Sequence, residues 1–305
     1  MKNRVLGLLL MFLAIFVWGI SFVSTKIVLT DLPPVSIAFF RQYVAIVPLI
    51  IMMWIRKENF RLEKGEFKLF ALASLFGIVL YFVFENNGLT MTTASSASML
   101  VAAVPVFVLI IESIITKTPI SKASLGCILA SLLGVYCIIS KNGSIDFSEG
   151  SLLGNLLVLG AMASWIIYTF ISKGLGERYS SLKLTTMQTL FSIPLFVPFT
   201  ISEVPAWRVP SMTAFLHLLF LGVFCSALAY VFFLYSIHTL GPVLPSAALN
   251  LIPVVTIITG RIVLSEQLTW IQALGAVLIM GGLTLLSLMN LKERAQKKNG
   301  SQGQT

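Results

Sequence analysis

Apolar residues in this chain come in long runs. From about position 5 to position 289, stretches of some 20 mostly apolar residues follow one another. Short connections carrying Pro, Gly, Asp, Lys or Arg separate them, as at Asp31 to Pro34, Thr118-Pro119, Lys141 to Gly143 and Gly241-Pro242. About 20 apolar residues in a helix cross the hydrocarbon core of a bilayer. The pattern predicts ten spans, at 5–28, 34–55, 68–88, 94–116, 121–140, 151–173, 183–202, 211–236, 242–264 and 268–289. The first run is too long for the core of a signal peptide, and no small-residue cleavage pattern precedes Lys26 and Asp31, so it reads as a retained helix. The expected class is an all-α membrane protein.

Composition agrees. Of 305 residues, 57% are hydrophobic and 11% charged, against about 45–50% and 25% in soluble domains. That excludes an ordinary soluble enzyme, a disordered chain and a fibre. Cys127, Cys137 and Cys225 lie inside apolar runs and read as small buried hydrophobes. The net charge of +9 would suit nucleic acid if it were clustered on one face. Instead 16 of the 21 Lys and Arg fall in one alternate set of connections and the tails, while only Lys141 and Arg208 lie clearly in the other set. This is the positive-inside bias. It predicts a multi-pass plasma-membrane protein with both termini cytoplasmic and excludes nucleic acid as a partner. The polar stretch 293–305 is expected to be a disordered cytoplasmic tail.

The halves repeat. Ala14, Trp18 and Lys26 recur as Ala161, Trp165 and Lys173; Gln42 and Pro48 recur as Gln188 and Pro194; Ser98 and Pro105 recur as Ser246 and Pro253. The offset stays close to about 147 throughout. Five spans per copy is an odd number, so the second copy enters the membrane from the opposite side. The expected architecture is ten transmembrane helices as two inverted five-helix repeats, at 5–140 and 151–288. Inverted repeats are a secondary-transporter device, because two halves can exchange conformations around a site between them.

Further motifs carry a resemblance: Trp18-Gly19 with Ser21-Phe22, Phe40-Arg41, the small-residue run Thr92 to Ser98 leading to Pro105, and Pro253 through Ser265-Glu266-Gln267-Leu268-Thr269 to Gly275. In these the chain resembles the EamA family of the drug/metabolite transporter superfamily, over nearly its whole length. The resemblance implies a ten-helix metabolite exporter with a central cavity. The first half departs from the pattern, with Thr118-Pro119 where the second has Glu266.

Polar and aromatic side chains inside spans are the candidate site, since polar groups in hydrocarbon face a bundle interior or a water-filled cavity. Trp18, Ser21 and Thr25 share one helical face, as do Trp165, Tyr168 and Ser172. Such stripes suit an amphipathic solute, and equally suit helix packing. Ser95, Ser98 and Pro105 share a face of the fourth span; Ser246, Asn250 and Pro253 share one of the ninth. Pro105 and Pro253 are expected to kink their helices. Arg41 could clasp a substrate carboxylate or pair with Glu85, and Gln42 counts with it among the substrate-binding candidates. Glu85 and Glu112 are candidates for proton coupling. Arg261 and Glu266 read as an outer-surface pair. No motif calls for a metal or cofactor.

The reading that follows is a secondary-active transporter exporting amino acids or related small amphipathic metabolites, driven by protons or by facilitated diffusion. The alternative is a non-transport membrane subunit or scaffold. An intramembrane enzyme would need a nucleophile, metal or carboxylate cluster that the spans lack. Expected partners are a small-molecule substrate and the lipid bilayer, with a homodimer left open.

Overall fold

A computed structural model describes residues 2–63, 65–117, 120–140, 150–240 and 243–302. Among them the secondary structure is helical, with no strand. In chain order the helices are α1 (Lys2–Val28), α2 (Pro34–Ile55), α3 (Phe67–Met91), α4 (Ala94–Ala102 and Val104–Thr116), α5 (Lys122–Ile139), α6 (Gly150–Arg178) and α7 (Ser181–Thr200). The chain continues with α8 (Met212–Leu219, Phe220–Leu228 and Ala229–Leu240), α9 (Val243–Ala248, Leu249–Leu251 and Ile252–Val263) and α10 (Trp270–Gln302). Eight helical stretches are long and apolar enough to cross a membrane, and two shorter apolar helices, Leu249–Val263 and Trp270–Leu286, follow them. The protein is thus a multi-pass membrane protein. Its outward faces agree: Leu9, Phe12 and Phe16 on α1 and Leu125, Leu129 and Leu133 on α5 are exposed at helical spacing, a surface suited to lipid rather than water.

Two crossings need glycine. A Cβ on Gly88 of α3 would lie 2.8 Å from the Gly154 carbonyl of α6, and one on Gly154 would lie 2.9 Å from the Gly88 carbonyl. Gly134 of α5 and Gly275 of α10 meet in the same way, each 2.7 Å from the other's carbonyl. In lipid, close backbone approach of this kind drives helix association. The largest apolar cluster joins α4, α5, α6 and α10 through residues such as Leu100, Ile138, Val158 and Ile279. A second joins α1, α2 and α8 through Ala14, Ile37 and Leu221.

Several helices are irregular where they face the interior. α4 breaks at Ala103, two residues before Pro105, and α9 tightens to 3₁₀ at Leu249–Leu251, just before Pro253. Proline donates no i−4 hydrogen bond and crowds the preceding turn. α3 and α8 each contain a π-helical segment, Leu75–Leu80 and Phe220–Leu228, with no proline there to announce it. The stretch after Glu293, expected to be disordered, continues α10 as helix to Gln302. The run Lys292 to Lys298 consists mostly of strong helix formers, with no breaker before Gly300.

Candidate substrate cavity and its two clamps

α2 and α7 pack together with opposite directions, because the chain leaving α7 meets the start of α2 and the chain leaving α2 meets the start of α7. They span about 33 and 30 Å at 1.5 Å per residue. Gln42 lies eight residues into α2 and Gln188 seven into α7, so each sits roughly 10–12 Å from its own helix start. Both reach the middle of the bundle. There they line a cavity of about 30 Å³ with Trp165 and Tyr168 of α6, Phe82 and Gly77 of α3, and Ser226 and Tyr230 of α8. The volume holds a water or two; sites for small organic molecules run to roughly 300 Å³ or more. In this form the cavity is too small for such a molecule.

The π-helical segments shape the walls. Gly77 lies against the ring of Tyr168, where a Cβ would come within 2.4 Å of it, and Gly222 lies equally tightly on Val44 of α2. Aromatic contacts continue outward: Trp165 packs on Tyr168 and Tyr81 at 4.9 and 5.4 Å, and Trp18 packs on Tyr230 and Phe233 at 5.3 and 5.2 Å between centroids. Arg41 is buried beside the cavity. Its Nε donates to Ser226 Oγ at 2.5 Å, and its guanidinium lies 4.5 Å from the Phe82 ring centre. Tyr168 donates its hydroxyl to Gln188 Oε1 at 3.2 Å. Gln188 Nε2 is buried without a hydrogen-bond partner.

Of the candidates named from sequence, Gln42, Trp165 and Tyr168 line the cavity, and Arg41 reaches it through Ser226 and Phe82. Trp18 stands behind Tyr230 and donates Nε1–H to the Cys225 carbonyl at 2.9 Å. Ser21 donates to the Trp18 carbonyl and Ser98 to the Ser95 carbonyl, both within their own helices. Asn250 lies half-buried in the 3₁₀ turn of α9, away from the lining. Glu85 is buried and accepts the Tyr81 hydroxyl at 2.7 Å. It forms no ion pair with Arg41: among the described residues the ion pair is Arg178–Glu66. The side chains of Glu112 and Ser246 lie outside the described residues. Glu266 is no surface partner of the Arg261 guanidinium, which reaches only the Glu266 main-chain carbonyl at 3.4 Å. Its carboxylate instead receives the amides of Ala94 and Ser95 at 2.8 and 3.1 Å and the Ser95 hydroxyl at 2.7 Å, capping α4. Among the described residues no three His, Cys, Asp or Glu gather as metal ligands.

Each end of the α2–α7 pair is clamped. At the start of α2, Pro33 offers no capping side chain and Pro34 no N–H. The next two amides, of Val35 and Ser36, donate to the Glu203 carboxylate at 3.1 and 2.7 Å, and the Ser36 hydroxyl joins at 2.6 Å. Trp207 donates to Ser36 Oγ and packs on Phe40. Arg208 donates to the carbonyls of Thr30 and Asp31, and the Ser211 amide to the Asp31 carboxylate at 2.8 Å. Those Ser211 hydrogen bonds hold Asp31 below its ordinary carboxylate range.

At the start of α7 the loop after α2 does the corresponding work. Lys57, with φ 55°, turns the chain out of α2, and the next residue, Glu58, accepts the hydroxyl of Ser180, the residue that caps α7. Lys183 donates to Asn59 Oδ1 and the Arg61 carbonyl at 3.0 and 2.7 Å. Glu66 accepts from Arg178 at 2.6 Å and from the Tyr179 hydroxyl. Desolvation first, and then the Glu66 carboxylate, raise the Tyr179 phenol above its ordinary value, so it remains a donor.

Known proteins resemble this chain over nearly its whole length. The model of the EamA-like transporter family matches residues 5–140 and 152–288. The chain belongs to the EamA-like transporter family. An Escherichia coli protein named a probable amino-acid metabolite efflux pump is 28% identical over 311 residues, covering 98% of this chain and 99% of that protein. The Bacillus subtilis uncharacterized transporter YvbV is 30% identical over 296 residues, covering 95% and 93%. An uncharacterized transporter of Archaeoglobus fulgidus is 26% identical over 281 residues, covering 91% and 96%. A solved structure titled only as the crystal structure of a protein aligns with a TM-score of 0.65 at 17% identity, covering 94% of this EamA-like chain and 99% of its own; it speaks to the fold alone.

Residues not singled out from sequence include Ser226, Tyr230, Phe82, Glu66 and Glu203. One signal was available: Glu58 and Glu203 stand at nearly the repeat spacing, and each reaches the start of a helix in the other half.

Proposed function

We propose that this EamA-like protein is a secondary-active transporter that exports amino acids or related small amphipathic metabolites by alternating access. The carrying observation is the small polar–aromatic cavity between α2, α3, α6, α7 and α8, with a loop clamp at each end of the α2–α7 pair. Each clamp joins the chain leaving one of α2 and α7 to the start of the other. That exchange supports reading the chain as ten transmembrane helices in two inverted repeats, with Leu249–Val263 and Trp270–Leu286 in the last two spans. Releasing one clamp opens the cavity to one side and releasing the other opens it to the opposite side. The charge bias supports an orientation with both termini, and the Glu66 clamp, on the cytoplasmic side of a plasma membrane. The efflux-pump name of the Escherichia coli relative supports the substrate class. Glu85, buried and hydrogen-bonded to Tyr81, is the proton-coupling candidate whose surroundings are known.

The test is counterflow in liposomes holding the purified protein and an amino-acid and metabolite mixture. Exchange of a labelled solute supports the reading; no exchange with any component defeats it. Single cysteines at Ser144 and Ser301 should label with an impermeant reagent from outside and only from inside, respectively.

A further inference from the structure

The cavity wall holds a buried donor that nothing pairs. Gln188 is 5% exposed. Its Oε1 is engaged by the Tyr168 hydroxyl, which leaves the amide nitrogen as its free end, and that nitrogen has no partner. Arg41 is 6% exposed, and its described hydrogen bond uses Nε alone. Its two terminal amino groups have no hydrogen-bonded partner among the described residues. Both groups that Arg41 leans on, Ser226 and Phe82, belong to the cavity wall. No Asp or Glu belongs to that wall; Glu85 takes the Tyr81 hydroxyl on one oxygen and neighbours Arg41 without a hydrogen bond or ion pair to it. A buried donor without an acceptor is costly, and the planar guanidinium fork fits a carboxylate bidentately. The structure therefore has unpaired donors at the cavity: the Gln188 amide in its wall and the Arg41 amino groups behind Ser226 and Phe82. Trp165 and Tyr168 supply apolar faces in the same wall.

We infer that this site selects compounds by a carboxylate, held by Gln188 Nε2 and Arg41, and that an ammonium group is not required for binding. The inference rests on the cavity being the substrate site of the transporter. Gln188 is then a specificity determinant: its amide contributes a donor where glutamate would contribute a second acceptor and a negative charge. A ligand enters after a clamp opens and the cavity widens, since its present volume has room only for water.

The test is equilibrium binding of two probes with one aromatic body, 3-phenylpropionate and 3-phenylpropylamine, to the full chain in lipid nanodiscs. Wild type should bind the acid at least tenfold more tightly than the amine. Gln188→Glu should weaken the acid at least tenfold and bring the ratio to unity or below. Gln188→Leu should lose the acid without gaining the amine. Should Gln188→Glu fail to fold, Gln188→Met keeps the length, removes the N–H groups and must show the same loss of acid. Equal affinities in wild type, binding of neither probe, or an unchanged ratio in the Gln188 variants overturns the inference. Counterflow is read separately. Its absence with every solute defeats the transport reading and leaves the affinity ratio standing. Equal affinities beside active counterflow defeat the carboxylate inference alone.

Discussion

The two clamps do the same job with different chemistry. The Glu203 clamp places a carboxylate on main-chain amides at a helix start, where Val35 and Ser36 are buried. The Glu66 clamp places a carboxylate on side chains, with a guanidinium side chain 59% exposed against a carboxylate only 5% exposed. In the first, the buried partners are the amides, which have no alternative acceptor if the glutamate goes. In the second, the buried partner is the glutamate itself, and its donors can return to water. A clamping glutamate thus carries opposite risk at the two ends: one clamp fails by losing its acid, the other by losing its donors.

The largest effect should come from Glu203→Ala. Two orphaned amides and a lost charge-assisted bond cost about 3 kcal/mol, or roughly a hundredfold faster hydrogen exchange in a 30–40 peptide, with 58–66 unchanged. Next comes the pair Arg178→Ala with Tyr179→Phe, which strands the Glu66 carboxylate. It should cost about 2 kcal/mol, discounted from a fully buried pair because Arg178 is exposed. Glu66→Ala should cost under about 1 kcal/mol. If the acid truncation proves worse than stripping its donors, the contrast between the clamps is wrong. Raising salt from 0.1 to 1 M should speed exchange in the 58–66 peptide by no more than a few-fold and leave 30–40 as it was, because screening acts on exposed charges.

The smallest expected effect is that of pH at the Glu203 clamp. Asp31 is depressed below its ordinary value, so its contribution is present above that value and lost only as pH falls through the folded pKa. Exchange at Ser211 should therefore be independent of Asp31 between pH 8 and 5 once intrinsic rates are removed, and Asp31→Asn should erase any change seen under stronger acid. An inflection near neutrality that Asp31→Asn abolishes would show that Asp31 is not depressed.

Much of this was legible along the chain. The apolar runs marked the helices because lipid imposes length and hydrophobicity locally, residue by residue. Pro105 and Pro253 marked the irregular points of α4 and α9 because proline's missing N–H is a covalent fact. Trp165, Tyr168, Gln42 and Arg41 were visible because a polar or aromatic group inside a span stands out against leucine. The π-helical segments of α3 and α8 were not: no proline marks them, and the glycines within them, Gly77 and Gly222, meet Tyr168 and Val44 of other helices.

The sequence by itself determined that the chain lives in a membrane as a bundle of helices and that its halves echo each other. Which side of Trp18 and Asn250 would face the centre depended on helix rotation, which a uniformly apolar helix encodes weakly; Tyr230 came between Trp18 and the cavity, and Asn250 stayed on α9. The role of Glu203 and Glu266 was likewise decided only in three dimensions. A carboxylate is a helix cap only when another helix begins beside it, and the amides it meets lie 167 and 171 residues away in the chain.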